Sequence, residues 1–310
     1  MKKSQLAAFI GGSIIASSAL AGPIGVPGGP LFLQYTNAEQ TSVSNAIPIP
    51  GSTSKQGNWG IIQVSSMVQG TTLPPLGSDI QGGGTPKFVD QVLPLGAQIL
   101  GIFYGATFND KTGLNASGGH LDLYWWDNGH TFQNTGTELS NSANLGKLTA
   151  QNQYTDFTCA SGNTAQCTFL VSLDFVSGAK PGDPSVTINS TTAPGTADGV
   201  SKSYLDVNTS KVGPWTAALN TNFFTLDPLN NPVGFAYLGG VSFPSARDIR
   251  LDNNFSANGG GKWSVAGSDI VGLRSNDPAR AFGVPEPGSL ALLGLALAAL
   301  GVVRRRRGNA

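Results

Sequence analysis

The sequence predicts an all-β fold, an antiparallel β-sandwich or jelly roll, on three observations. Glycine supplies 42 of 310 residues, about twice the usual ~7%, and charged residues only 12% against a usual ~25%. Apolar runs in the body are short, rich in β-branched and aromatic residues, and fenced by Gly, Pro, Asn or Asp. No internal segment keeps a helical period beyond two or three turns.

Taken in order, residues 1–21 read as a secretory signal peptide. Lys2 and Lys3 precede an apolar run from Leu6 to Leu20, and Ala19 and Ala21 place small residues where a signal peptidase cuts, before Gly22. Export through the Sec translocon and cleavage by signal peptidase are therefore expected. Residues 22–283 form the exported body. Its first part, 22–58, holds Pro23, Pro27, Pro30, Pro48 and Pro50 and reads as a loose leader with one edge strand at 31–35.

Strand runs follow at 61–68, 98–108, 120–126, 168–176, 185–189, 223–226, 233–241 and 263–273. Three triplets, Leu121-Asp122-Leu123, Leu173-Asp174-Phe175 and Leu205-Asp206-Val207, put an aspartate between apolar neighbours. On a strand that sends the apolar pair inward and the carboxylate outward. Residues 177–203 are the most loop-like internal stretch, and a single body domain is the preferred reading.

The C-terminal segment, 284–310, has three parts in order. Val284-Pro285-Glu286-Pro287 is a breaker, 290–303 is an apolar helix, and Arg304, Arg305, Arg306 and Arg307 form a basic stop. Fourteen helical residues span about 21 Å at ~1.5 Å each, short of a ~30 Å hydrocarbon core. The arginines extend the span by snorkelling and hold that end on the cytoplasmic side. With Lys2 and Lys3 on the same side, the body lies outside.

This C-terminal arrangement resembles the PEP-CTERM sorting signal. The resemblance implies recognition by a membrane-embedded exosortase, transient anchoring in the inner membrane, removal of the tail near Pro285-Glu286-Pro287, and release or relocation to the periplasm, outer surface or medium. It also implies association with exopolysaccharide, and hence a role in adhesion or flocculation. A hydrophobic tail that is absent from the mature protein has a parallel in other tail-cleaved anchors.

Charge excludes one class of partner. Six basic residues and one acidic residue of the 18 of each lie in the terminal segments, leaving 12 basic and 17 acidic residues in the body. Such a body lacks the basic stripe that nucleic-acid binding needs.

The densest chemical stretch runs from His120 to His130 and holds both histidines of the chain. Asp122, Asp127 and the two histidines offer metal or sugar ligands, with Trp125 or Trp126 as a stacking platform. The plainer reading is a strand ending in an Asp-Asn-Gly turn with its aromatics in the core. No Gly-x-Ser-x-Gly elbow, HExxH, P-loop or GxGxxG occurs, so a non-enzymatic protein is expected, with a carbohydrate-binding module as the alternative and a carboxylate-pair hydrolase behind it.

Cys159 and Cys167 enclose seven residues, and in an oxidising compartment the expected state is a disulfide stapling a local hairpin. Sequons at Asn115, Asn189, Asn208 and Asn254 are candidate glycosylation sites. No cofactor is called for, although Asp248 to Asn254 offers carboxylates to a Ca²⁺ loop.

Overall fold

A computed structural model gives the architecture and describes residues 26, 29–49, 52–69, 86–88, 98–126, 167–193, 195–226, 232–235, 246–256 and 263–283. The fold is all-β and antiparallel, as expected. Eight strands close on themselves: β1 (Gly29–Thr41), β4 (Asn58–Gln69), β6 (Gln98–Phe108), β8 (His120–Trp126), β9 (Cys167–Val176), β11 (Gly199–Val207), β15 (Ile249–Ser256) and β16 (Val271–Gly283).

The order around the ring is β6, β8, β9, β11, β15, β16, β1, β4, with β4 returning to β6. That last pairing, running from Asn58↔Ala106 to Val64↔Ile99, makes a closed barrel where a two-layer sandwich or jelly roll was expected. Alternation along a strand is the same in either architecture, and only closure removes the two edges.

Smaller elements decorate the ring: β2 (Ile47–Pro48) with β3 (Lys55–Gln56), β5 (Pro86–Phe88) beside β4, and β12 (Phe224–Leu226) between β13 (Pro232–Phe235) and β14 (Ala246–Arg247). A single turn of helix, α1 (Thr216–Leu219), is the helical element among the described residues. None of these described elements is a helix long and apolar enough to cross a membrane. The signal segment and the 290–303 helix lie outside the described residues.

The predicted runs at 98–108 and 120–126 coincide with β6 and β8, and 168–176 with β9 to within one residue. The leader at 22–58 is corrected: residues 29–41 form a 13-residue strand paired along its length to β16 and β4. Its polar residues, Asn37, Glu39 and Gln40, are buried, a pattern that reads as loop because it breaks the apolar alternation. Similarly, 249–254 is strand where a cation loop was conceivable, and 263–270 precedes β16 instead of belonging to it.

The barrel has two unlike ends. At one end, inward Leu31, Leu33, Val64, Met67, Leu123 and Trp125 form a continuous apolar cluster with Val26 and with Trp215, Ala218 and Leu219 of the α1 turn. Each such buried side chain contributes about 1.5–3 kcal/mol. At the other end the inward positions turn polar, and two short strands, β7 (Asn115–Ser117) and β10 (Ile188–Ser190), bridge β6 to β11.

Gly105 (φ +84°), Gly118 (φ +68°) and Gly119 (φ +110°) lie where β6 passes from pairing with β8 to pairing with β7. Only glycine takes that left-handed backbone readily. The register Gly29↔Gly283 places the start of β1 and the end of β16 together at the apolar end, and Thr41↔Val271 at the polar end.

A second apolar cluster covers part of the outer face. Trp59, Ile61, Leu100, Ile102, Tyr124, Trp126 and Cys167 pack there with Ile47 of β2 and with Trp263. An outward side chain in this region is therefore not a solvated one.

Candidate functional site

Pairing aligns four ionisable or polar residues across neighbouring strands. Tyr104 of β6 faces His120 of β8, His120 faces Asp174 of β9, and Asp174 faces Asp206 of β11. All four project from the outer surface, because Phe103, Leu121, Leu173 and Leu205 point into the barrel. The Leu-Asp alternation read from the sequence holds at Asp174 and Asp206.

His120 Nδ1 lies 2.6 Å from Asp174 Oδ1, with both side chains partly exposed. Asn208 Nδ2 donates to both Asp174 oxygens, at 3.3 and 3.1 Å, and the Tyr104 and His120 rings stand 5.4 Å apart. Next along the row, Arg247 Nη1 meets Asp206 Oδ2 at 3.3 Å while its Nε donates to the Ser177 carbonyl at 2.9 Å. Burial pushes the Asp206 carboxyl up to about 6, Arg247 opposes it, and the neighbouring Asp248 and Asp174 charges add to the rise.

Asp248 itself accepts backbone N–H bonds from Val207 (2.8 Å), Thr221 (2.7 Å) and Asn222 (2.6 Å). Its carboxyl lies above the ordinary range because burial outweighs those bonds. Asp252 is held by Arg250 at 3.1 Å and by Arg280. The carboxylates of the 248–254 stretch thus hold backbone amides and arginines on and beside a strand. Among the described residues, no three His, Cys, Asp or Glu side chains converge as a metal site.

Asp122 departs from expectation. It faces outward but is fully buried, because the turn after β11 carries Lys211 over it, with Nζ 2.6 Å from Oδ2 and 4.7 Å above the Phe169 ring. Tyr104 Oη lies 3.4 Å from the same oxygen. The proposed stacking platform is also buried: Trp125 packs inside the barrel and Trp126 lies in the outer cluster. Neither indole presents a face to a sugar ring. Asp127 and His130 lie outside the described residues, so of the His120–His130 stretch only His120 reaches solvent among the described members.

The sequons differ in accessibility. Asn189 Nδ2 donates to Asn115 Oδ1 at 2.9 Å across the β7–β10 pair, and Asn208 is engaged with Asp174. Asn254 is exposed. Cys167 opens β9 and is buried; Cys159 lies outside the described residues.

Sequence reasoning missed Lys211 and Arg247, and it read Asn208 as a sequon without its bond to Asp174. Each sits in a turn or on a two-residue strand, and long-range folding alone brings it to the row.

Below the row, β16 ends at Gly283, so the described barrel stops where the Pro-Glu-Pro, apolar and arginine segments of the sequence begin. An all-β body joined directly to a C-terminal sorting tail defines the class. The family model of the PEP-CTERM protein-sorting motif matches residues 283–307, and the chain carries that motif, which takes in Val284 to Pro287 and Arg304 to Arg307. It implies an exported protein processed at the membrane, with an exosortase as the processing partner. No curated protein and no solved structure matches the chain.

Proposed function

We propose that this is a non-enzymatic cell-surface or extracellular-matrix protein whose barrel acts in adhesion, flocculation or exopolysaccharide association once an exosortase has removed its tail. The observation that carries the reading is the sorting motif at 283–307, supported by its position after the last barrel strand. Cleavage near Pro285-Glu286-Pro287 takes no ladder hydrogen bond from β16, so the released body keeps its closed sheet. Residues 1–21 are removed at Gly22 in this account. Cleavage there leaves seven residues before Gly29, which pairs with Gly283. Both membrane-directed segments then leave the same end of the barrel, and the polar end faces away from the bilayer.

Burial of Trp125 and Trp126 speaks against the tryptophan-platform carbohydrate module. Intact mass spectrometry of the secreted and envelope fractions tests the processing. A species beginning at Gly22 and ending near Val284 to Pro287 is expected. A stable membrane species retaining Arg304 to Arg307 refutes it. Deleting the gene in the host tests the role, and unchanged flocculation and polysaccharide retention would remove it.

A further inference from the structure

The polar end of the barrel encloses a cavity of about 60 Å³. Its wall is of two kinds. Phe103, Phe108, Phe175 and Phe255 supply aromatic surface, while Glu39, Asn37, Asn58 and Asn253 supply polar groups from β1, β4 and β15. A second hollow of about 740 Å³ shares Asn37 and Phe255 with it. Eight-stranded barrels have room for one small ligand at this position.

Hydrogen-bond accounting shows what chemistry the cavity lacks. Glu39 is buried and accepts from Asn58 Nδ2 at 2.9 Å, from Ser275 Oγ at 2.9 Å and from the Asn253 side chain. A carboxylate has about four acceptor sites, so one remains. Asn253 turns its amide toward Glu39, and its Oδ1 is buried without a hydrogen-bond partner. An unmet buried acceptor is costly, and here it stands beside a buried carboxylate. Ser275 has one hydroxyl proton, and Asn37 Oδ1 competes with Glu39 for it. Among the described residues that line the cavity, none is Lys or Arg.

We propose that the polar mouth of the barrel binds a small primary ammonium ion, its N–H groups donating to Glu39 and Asn253 and its short alkyl part resting on the phenylalanine rings. An ammonium head carries three donors and a charge that matches Glu39, and aromatic faces attract such cations. The cavity's size limits the ligand to a few heavy atoms. Burial raises the Glu39 carboxyl above its ordinary range, the condition that a bound cation relieves.

The test is calorimetric titration of the full chain in detergent with ethylammonium chloride, with tetramethylammonium, potassium and ethanol as controls. Saturable one-site binding of ethylammonium, unaffected by the three controls, is expected. Glu39→Gln, which keeps the shape and one accepting oxygen but removes the charge and turns the second oxygen into an N–H donor, should weaken it about tenfold to hundredfold. Asn253→Ala should weaken it by a smaller factor, and serves if Glu39→Gln fails to melt cooperatively. Absence of saturable binding, equal binding of tetramethylammonium or potassium, or unchanged affinity in both folded variants would overturn the assignment. Tail processing can fail its own test without touching this result.

Discussion

Removing Lys211 is the sharpest test of the outer face. Asp122 is fully buried and its charge is met by Lys211 Nζ at 2.6 Å, with Tyr104 Oη, at 3.4 Å, as the further partner among the described residues. Its other oxygen, Oδ1, has no hydrogen-bond partner. Lys211→Ala therefore strands a buried charge, a change that costs about 3–5 kcal/mol when both partners are enclosed. Lys211 is itself partly exposed, so water reaches the Nζ side and the expected loss is about 2–3 kcal/mol. Some of it is lost packing of the lysine stem on Phe169.

Urea unfolding of the wild type, Lys211→Ala, Asp122→Asn and the double variant separates the two parts. In the double variant the stranded charge is gone, so it should be more stable than Lys211→Ala alone by at least 1 kcal/mol. A Lys211→Ala variant within about 0.5 kcal/mol of wild type would refute the claim that this carboxylate depends on the lysine.

Three further outcomes are expected. Asp206 holds its proton more tightly folded than unfolded, so its contribution is full below pH 3.8 and is lost as pH rises through about 6; Asp206→Asn should flatten that slope and, after discounting for a third of exposure, leave the variant about 1–2 kcal/mol better placed at pH 7. A Cβ at Gly60 would lie 2.6 Å from both the Ala38 carbonyl oxygen and the Phe103 ring, so Gly60→Ala should cost about 1–3 kcal/mol by thermal or urea unfolding. Trp126→Ala should lower stability by about 3–5 kcal/mol instead of selectively removing polysaccharide binding in a pull-down, because that indole is core.

Much of the strand content was legible because period-two alternation is a local property. β6 and β8 carry β-branched and aromatic runs bounded by Gly and Asn, and their limits follow from that pattern alone. β1 was legible only at 31–35, because Asn37, Glu39 and Gln40 face or flank a polar barrel interior and look like loop residues to any rule that equates inside with apolar. Likewise the start of β15, with Asp248 before it and Asp252, Asn253 and Asn254 within it, reads as an Asp- and Asn-rich loop until Arg280 and Arg250 are seen to hold Asp252.

The sequence alone marked the sorting segment, since its signals are contiguous charge, apolar length and breaker residues. It also determined that the body is β, and that the central aspartates of the Leu-Asp triplets point away from their apolar neighbours. Whether pointing away meant reaching water depended on what packed over each carboxylate. Asp174 and Asp206 are partly exposed, but Asp122 lies beneath Lys211, 89 residues on in the chain. Barrel closure through β4 and β6, the unlike chemistry of its two ends, and the meeting of Glu39 with Asn253 are all products of long-range register. No local window of sequence contains both partners of such a contact, and so none can report it.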